Sequence, residues 1–130
     1  MKLPWAALSL AGLLSASAVK HFKDPKFFYP VVPRSISTDT QGDFALLSRA
    51  DWVALSGAIE AVAAVGLLLP PTRKFAAKGT AAMFVAFTAG HISQLKYAFG
   101  PQGSEQEKVF GIVRLPLQVP LIWLAWRARR

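Results

Sequence analysis

The sequence contains no cysteine, and its 130 residues include only two histidines and seven acidic residues. A chain without cysteine forms no disulfides and no thiolate metal sites, and it carries out no thiol redox chemistry with its own side chains. The two histidines, His21 and His91, are too few for a typical multi-ligand metal or haem site within one chain. We therefore expect no metal site and no catalytic residue, and the sequence favours a protein that is not itself an enzyme.

Apolar residues are in excess, since 53% of the chain is hydrophobic and 17% is charged, with a mean hydropathy of +0.35. This composition is typical of a membrane protein, and the length fits one domain covering residues 1–130. The net charge is +8, but the basic residues lie between and beyond the apolar runs rather than on one polar face. That distribution argues against nucleic acid as a partner.

Four apolar segments each approach the length of about 17–25 residues that a membrane-spanning helix needs. They cover approximately residues 3–19, 52–69, 75–97 and 109–126. The sequence therefore predicts an all-α fold, an integral membrane four-helix bundle with a short interfacial helix or turn after the first helix. The first segment is also similar to a signal peptide, because Lys2 precedes it and Ser15-Ala16-Ser17-Ala18 resembles a cleavage site. We expect an uncleaved helix, since the other three helices need the first helix to bury the faces that they turn towards it.

Local signals mark where the helices begin. Ser48-Arg49-Ala50-Asp51 and Ser104-Glu105-Gln106-Glu107 both fit the capping box, in which the serine and the acid satisfy backbone N–H groups. Asp24-Pro25 predicts the start of a short helix with the aspartate as its cap, and the aromatic residues that follow suit a membrane interface.

The basic residues indicate an orientation. One side of the predicted bundle carries seven cations and no acid over short segments: Lys2, Arg73, Lys74, Lys78, Arg127, Arg129 and Arg130. The other side carries seven cations over much longer loops, so the density near the helix ends favours both chain termini in the cytoplasm.

Two charged residues interrupt the apolar segments. Glu60 lies near the middle of the second and Arg114 lies inside the fourth, where burying a charge costs at least about 3 kcal/mol. We expect the two to form an ion pair within a polar pocket. Residues at helical spacing or near the segment ends complete the predicted cluster: Ser56, Gln118, His91, Gln94 and His21. The same residues are also compatible with a purely structural role in fixing helix register.

The order of several motifs resembles the DoxX-like family of small four-helix bacterial membrane proteins. The motifs are His-Phe-x-x-Pro after the first helix, Ser-Gly-x-x-Glu in the second, Pro-x-Thr-Arg after it and Arg-Leu-Pro-Leu-Gln in the fourth. The resemblance implies a multi-pass protein of the bacterial cytoplasmic membrane, with recurring polar positions at His21, Glu60, Arg114 and Gln118. It also implies an association with oxidoreductases, because some relatives are linked to thiosulfate:quinone oxidoreduction. The third helix has His91 and Gln94 where relatives often carry an asparagine.

Two functions from different classes follow. The first is a non-catalytic membrane subunit or docking and assembly protein for a redox or envelope complex, with protein partners or further copies of the chain in the bilayer. The alternative is a small-molecule binder that holds quinone or lipid in the polar pocket between the second, third and fourth helices. A tightly packed, fully paired cluster would contradict the alternative. A self-standing enzyme ranks below both, because quinone chemistry needs a redox centre.

Overall fold

The computed structural model describes residues 4–130, and that part of the chain is built from helices and turns without a β-strand. The five α-helices are α1 (Trp5–Lys23), α2 (Arg49–Leu68), α3 (Pro70–Ala98), α4 (Glu105–Arg114) and α5 (Gln118–Arg127). Short 3-10 helices cover Pro25–Val31, Arg34–Ile36, Thr38–Thr40 and Leu115–Leu117. The prediction of an all-α fold is confirmed. Lys2 and the predicted start of the first segment at residue 3 lie outside the described residues.

The helices form an antiparallel bundle. α1 packs against α2, α2 against α3, and α3 against α4 and α5, while α5 returns to contact α1. One end, which we call the loop end, consists of residues 24–48 and 99–104. The opposite end, the terminal end, contains the turn at Leu69 and residues 127–130. α2 and α4 therefore run in the same direction and occupy diagonal positions.

The buried core contains many small side chains. Alanines allow helix backbones to approach closely, which favours helix packing where the hydrophobic effect offers little drive. The core lies towards the terminal end and includes Ala7, Leu10, Ala11, Leu14, Ala64, Leu67, Ala77, Ala81, Phe84, Ala125 and Ala128.

The helix starts follow the predicted caps in two of three cases. Ser104 Oγ accepts a hydrogen bond from the Glu107 backbone N–H at 3.1 Å, and the Glu107 carboxylate accepts one from the Ser104 backbone N–H at 3.3 Å. Ser48 Oγ accepts from the backbone N–H of Asp51 at 3.1 Å, but the Asp51 carboxylate does not accept from the Ser48 backbone N–H, so only the serine half of the predicted box is present. The third prediction is wrong in its cap, because the side chain of Asp24 makes no capping bond and instead forms an ion pair with Lys20 at 3.2 Å.

The fourth apolar segment is broken by a 3-10 turn. α4 ends at Arg114, residues Leu115–Leu117 form the turn, and α5 begins at Gln118. Pro116 lies inside the turn and has no backbone N–H to continue the α-helical hydrogen bonds. Arg114 therefore lies directly before the 3-10 turn and Gln118 directly after it.

The loop end is folded against the bundle rather than extended. Trp52 donates from its indole N–H to the Ile36 carbonyl at 2.8 Å, and Ser37 forms an isolated bridge with Leu47. The carbonyl of Val31 approaches Gly90 so closely that a Cβ at position 90 would overlap it. Glycine at this position therefore permits the first 3-10 helix to lie on α3.

Large apolar side chains cover much of the outer surface of the helices. Exposed examples are Leu8, Leu13, Val19, Leu55, Ile59, Val62, Val65, Phe75, Val85, Ile92, Ile112, Val113, Val119 and Trp123. Two helical stretches, Arg49–Leu68 and Glu105–Arg127, are long and apolar enough to cross a membrane. Only 28% of the apolar stretch of the first and 17% of that of the second is buried inside the protein.

Candidate functional site

An open cavity of about 1380 Å³ lies between the helices below the loop end. α1, α2, α3 and α4 contribute to its walls together with the 3-10 helix Pro25–Val31, and most of the lining is apolar. Its polar and charged side chains are Ser17, His21, Ser35, Ser56, Glu60, Ser93, Lys96, His91 and Arg114.

Glu60 is buried on the face of α2 that packs against α1, with 3% of its surface exposed. Ser17 Oγ donates a hydrogen bond to Glu60 Oε1 at 3.2 Å. His21 Nδ1 lies 3.3 Å from Glu60 Oε2, but it also lies 2.7 Å from the Ser17 carbonyl, which can only accept. The single N–H at Nδ1 therefore points to that carbonyl. Glu60 Oε2 remains without a hydrogen bond in the described part of the chain.

Aromatic side chains from the first 3-10 helix form the roof of the cavity. The ring of Phe28 stacks on His21 with ring centroids 3.7 Å apart. Phe27 meets Phe28 edge-on at 5.1 Å and Phe110 of α4 at 6.4 Å. This contact chain joins α1 to α4 across the loop end, so the roof and His21 are held together as one unit.

Arg114 lies on the opposite side of the cavity and is half-buried. It donates to the Gln118 side-chain oxygen at 2.8 Å, and the Gln118 amide donates to the Phe84 carbonyl at 2.8 Å and to Thr88 Oγ1 at 3.3 Å. This relay fixes the guanidinium against α3 across the helix break. No carboxylate within residues 4–130 comes within ion-pair distance of Arg114.

The expected ion pair between Glu60 and Arg114 is therefore wrong, although both residues line the same cavity. The reason lies in the order of the helices around the bundle. α2 and α4 are diagonal, so Glu60 contacts Ser17 and His21 of α1, while Arg114 is held through Gln118 on α3. Similar depth in the bundle does not bring the two side chains together.

The remaining predicted residues divide into two groups. His91 is buried, lines the cavity and has no hydrogen-bond partner for Nδ1 among the described residues. Ser56 also lines the cavity. Gln94 does not line the cavity. Its amide N–H donates to the Glu107 carbonyl at 2.9 Å and ties α3 to α4, while its Oε1 is buried without a hydrogen bond from the described residues. Gln118 likewise acts as support behind Arg114.

Sequence reasoning missed Ser17 and the aromatic roof as parts of the site. Ser17 lies four residues before His21, one helical turn away on the same face of α1, and that spacing was the available signal. The stacking of Phe28 on His21 had no such signal, because it depends on how the chain folds back after α1.

A separate polar contact secures the loop end. Arg49 donates from its side chain to Asp39 Oδ2 at 3.0 Å and from its backbone to Oδ1 at 3.1 Å. The side-chain hydrogen bond from Arg49 is the main cause that lowers the pKa of Asp39 below its ordinary value. This contact anchors the 3-10 helix Thr38–Thr40 to the start of α2.

Comparison with known proteins identifies a family. A protein-family model, described as a domain of unknown function (DUF8561), matches residues 10–129, so the chain belongs to that family. No curated protein and no solved structure matches the chain. The match covers nearly the whole chain, but the description of the family names no function. The function proposed below therefore rests on the cavity and its side chains.

Proposed function

We propose that this member of the DUF8561 family is an integral membrane protein whose helices cross the bilayer four times and bind a small amphipathic molecule. The fourth crossing consists of α4, the 3-10 turn and α5 together. The ligand is a quinone or a lipid, and the protein supplies binding without catalysis of its own. The observation that carries this proposal is the open cavity, in which charged side chains of opposite sign line a mostly apolar space.

The outer surface supports the membrane assignment. Core helices of soluble proteins are mostly buried, whereas both candidate spans expose most of their apolar residues. α1 and α3 lie beside these spans in an antiparallel bundle and expose apolar side chains as well, such as Leu8 and Val85. Exposure of so much apolar surface to water is unfavourable, and the hydrocarbon core of a bilayer would cover it. The terminal end carries Arg73, Lys74 and Arg127 near helix ends, which favours its placement in the cytoplasm.

The interior supports ligand binding over a purely structural role. A cluster that only fixed helix register would be packed and fully hydrogen-bonded, because unsatisfied buried polar atoms are costly. Three polar atoms of the predicted cluster, Glu60 Oε2, His91 Nδ1 and Gln94 Oε1, instead lack partners within residues 4–130, and the first two belong to side chains that line the cavity. Intramembrane ionisable groups in such positions are typical of substrate and ion sites.

Single-cysteine labelling tests the membrane topology, since the chain has no background cysteine. Thr38→Cys and Gln102→Cys at the loop end, and Lys74→Cys and Arg130→Cys at the terminal end, all place the thiol at exposed positions. In sealed, oriented vesicles, a membrane-impermeant maleimide is expected to label one pair and spare the other. Labelling of all four positions from one side would contradict four crossings.

Mass spectrometry of the protein purified in lipid nanodiscs tests ligand binding. We expect a quinone or lipid to remain bound, to be lost from Arg114→Gln, and to persist in Lys78→Gln. The control removes the same charge at an exposed position of α3 that does not line the cavity. Equal retention in both variants, or no ligand in any preparation, would contradict the proposal.

A second function, docking or assembly of a redox or envelope complex, is supported by the surface of the loop end. Phe44 and Leu46 are 75% and 74% exposed there, next to the ordered segment that Trp52 fixes. Two neighbouring exposed apolar side chains on a fixed loop suit a protein partner. Co-purification in mild detergent tests this function, and we expect a stoichiometric partner to be lost from a variant with Phe44→Ser and Leu46→Ser. Recovery of the wild-type protein alone would contradict it.

A further inference from the structure

We propose that the cavity selects a zwitterionic amphiphile with a single chain, whose head group carries an anion and a primary ammonium. The anion binds Arg114 and the ammonium binds Glu60. This inference rests on the proposed ligand-binding function and adds the chemical class of the ligand.

The cavity holds two opposite charges that the protein leaves apart. Glu60 and Arg114 are the two charged residues of the cavity that are not exposed, whereas the third, Lys96, is exposed to the surroundings. Glu60 and Arg114 do not pair with each other, and each is attached to the protein only through neutral groups or a histidine. An anionic ligand alone would leave its charge facing the Glu60 carboxylate, and a cationic ligand alone would face the Arg114 guanidinium. A ligand with both charges gives each residue an opposite charge, which is the arrangement that offsets the desolvation of buried ions.

Both charged side chains have unused hydrogen-bonding capacity. Glu60 Oε2 accepts no hydrogen bond from the described residues, and a primary ammonium offers three N–H donors. The Arg114 guanidinium has five N–H donors, of which one is directed to Gln118. The other N–H groups suit the oxygens of a phosphate or carboxylate. His91 also lines the cavity, and its Nδ1 has no hydrogen-bond partner among the described residues.

The apolar part of the cavity is elongated along α3. α3 contributes a row of small residues to the lining, namely Gly79, Ala82, Ala86 and Ala89. From Gly79 to His91 the helix rises about 18 Å at about 1.5 Å per residue. This length is close to half of the bilayer hydrocarbon core of about 30 Å. A single chain that reaches through one leaflet therefore fits along α3 with its head group at the level of His91.

A chain-matched panel of probes tests the head group. Binding to the detergent-solubilised full chain is measured by native mass spectrometry for lysophosphatidylethanolamine, lysophosphatidylglycerol, a long-chain alkylamine and an uncharged alkyl glycoside. The first carries both charges, the next two carry one each, and the last carries none. We expect lysophosphatidylethanolamine to bind about tenfold or more tightly than the others, the effect of one hydrogen bond to a charged group.

Two charge-removing variants assign the contacts. Glu60→Gln is expected to bind lysophosphatidylethanolamine and lysophosphatidylglycerol equally, and Arg114→Gln to bind lysophosphatidylethanolamine and the alkylamine equally. Glu105→Gln, at an exposed position outside the cavity, is the control and should keep the wild-type ranking. If a variant does not fold, the ranking of the wild-type protein decides.

Each outcome bears on one of the two proposals. Equal binding of all four probes, or preference for a probe with one charge, would overturn the zwitterion while leaving the cavity as a binding site. Failure of every probe and of every endogenous ligand would overturn the proposed function itself. Preference for a lysophospholipid with an ammonium over every other probe supports both.

Discussion

Replacing Gly90 by alanine is expected to displace the roof of the cavity. A Cβ at position 90 would overlap the backbone carbonyl of Val31 and approach the ring of Pro33. A backbone carbonyl cannot rotate away as a side chain does, so the 3-10 helix Pro25–Val31 must move as a unit. That movement would also disturb the stacking of Phe28 on His21.

The size of the effect follows from two opposing terms. Overpacking of a well-packed contact costs about 1–3 kcal/mol in the free energy of unfolding. Replacement of glycine by alanine inside a helix returns up to about 1 kcal/mol through helix propensity. The matched variant Gly12→Ala carries the second term alone, because a Cβ at position 12 would meet no atom within 4 Å. The difference between the two variants therefore isolates the overpacking term of about 1–3 kcal/mol.

The assay is reversible denaturation in detergent micelles, followed by circular dichroism, for the wild type and both variants. We expect Gly90→Ala to be less stable than Gly12→Ala by the amount above. Limited proteolysis should also cut residues 25–48 faster in Gly90→Ala. Equal stability of the two variants would refute the close approach of Val31 to α3.

Three further changes test other parts of the fold. Ser104→Ala removes the cap of α4 and should lower the free energy of unfolding by about 1 kcal/mol, as measured by thermal circular dichroism, and an unchanged melting curve would contradict the cap. Trp52→Phe removes the donor to the Ile36 carbonyl and should cost about 1 kcal/mol together with faster proteolysis of the loop end, while unchanged cleavage would contradict this anchor. The pKa of Asp39 is lower in the folded protein than its ordinary value of 3.8, so its contact with Arg49 contributes fully above about pH 4 and is lost as the pH falls through the lowered pKa. Proteolysis of the loop end should accelerate over that acid range in the wild type, and Asp39→Asn should remove this acceleration; the same acid response in both would contradict the contact.

The features that the sequence predicted correctly depend on local chemistry. The caps at Ser48 and Ser104 involve residues three apart, so each is formed within one helical turn. The predicted segment starts at residues 52 and 109 were late by a few residues. The first turns of α2 and α4 contain charged residues such as Asp51 and Glu105, which an apolar pattern excludes.

The features that the sequence missed depend on which helices are neighbours. Glu60 and Arg114 were expected to pair because they lie at comparable depth, but depth along a helix does not say which face meets which neighbour. Because α1 packs against α2, Glu60 contacts Ser17 and His21 instead. Ser17 was not assigned to the site because its side chain carries no charge to mark it within an apolar segment.

If the ligand binds in the open cavity, a side chain that fills the cavity must displace it. Ala86→Trp places a large side chain on the lining of α3 without removing any polar group. Ala16→Trp makes the same change at an exposed position of α1 that does not line the cavity. We expect mass spectrometry of nanodisc preparations to show the bound lipid or quinone lost from Ala86→Trp and retained in Ala16→Trp. Full retention in a folded Ala86→Trp protein would place the ligand outside the cavity and contradict the account.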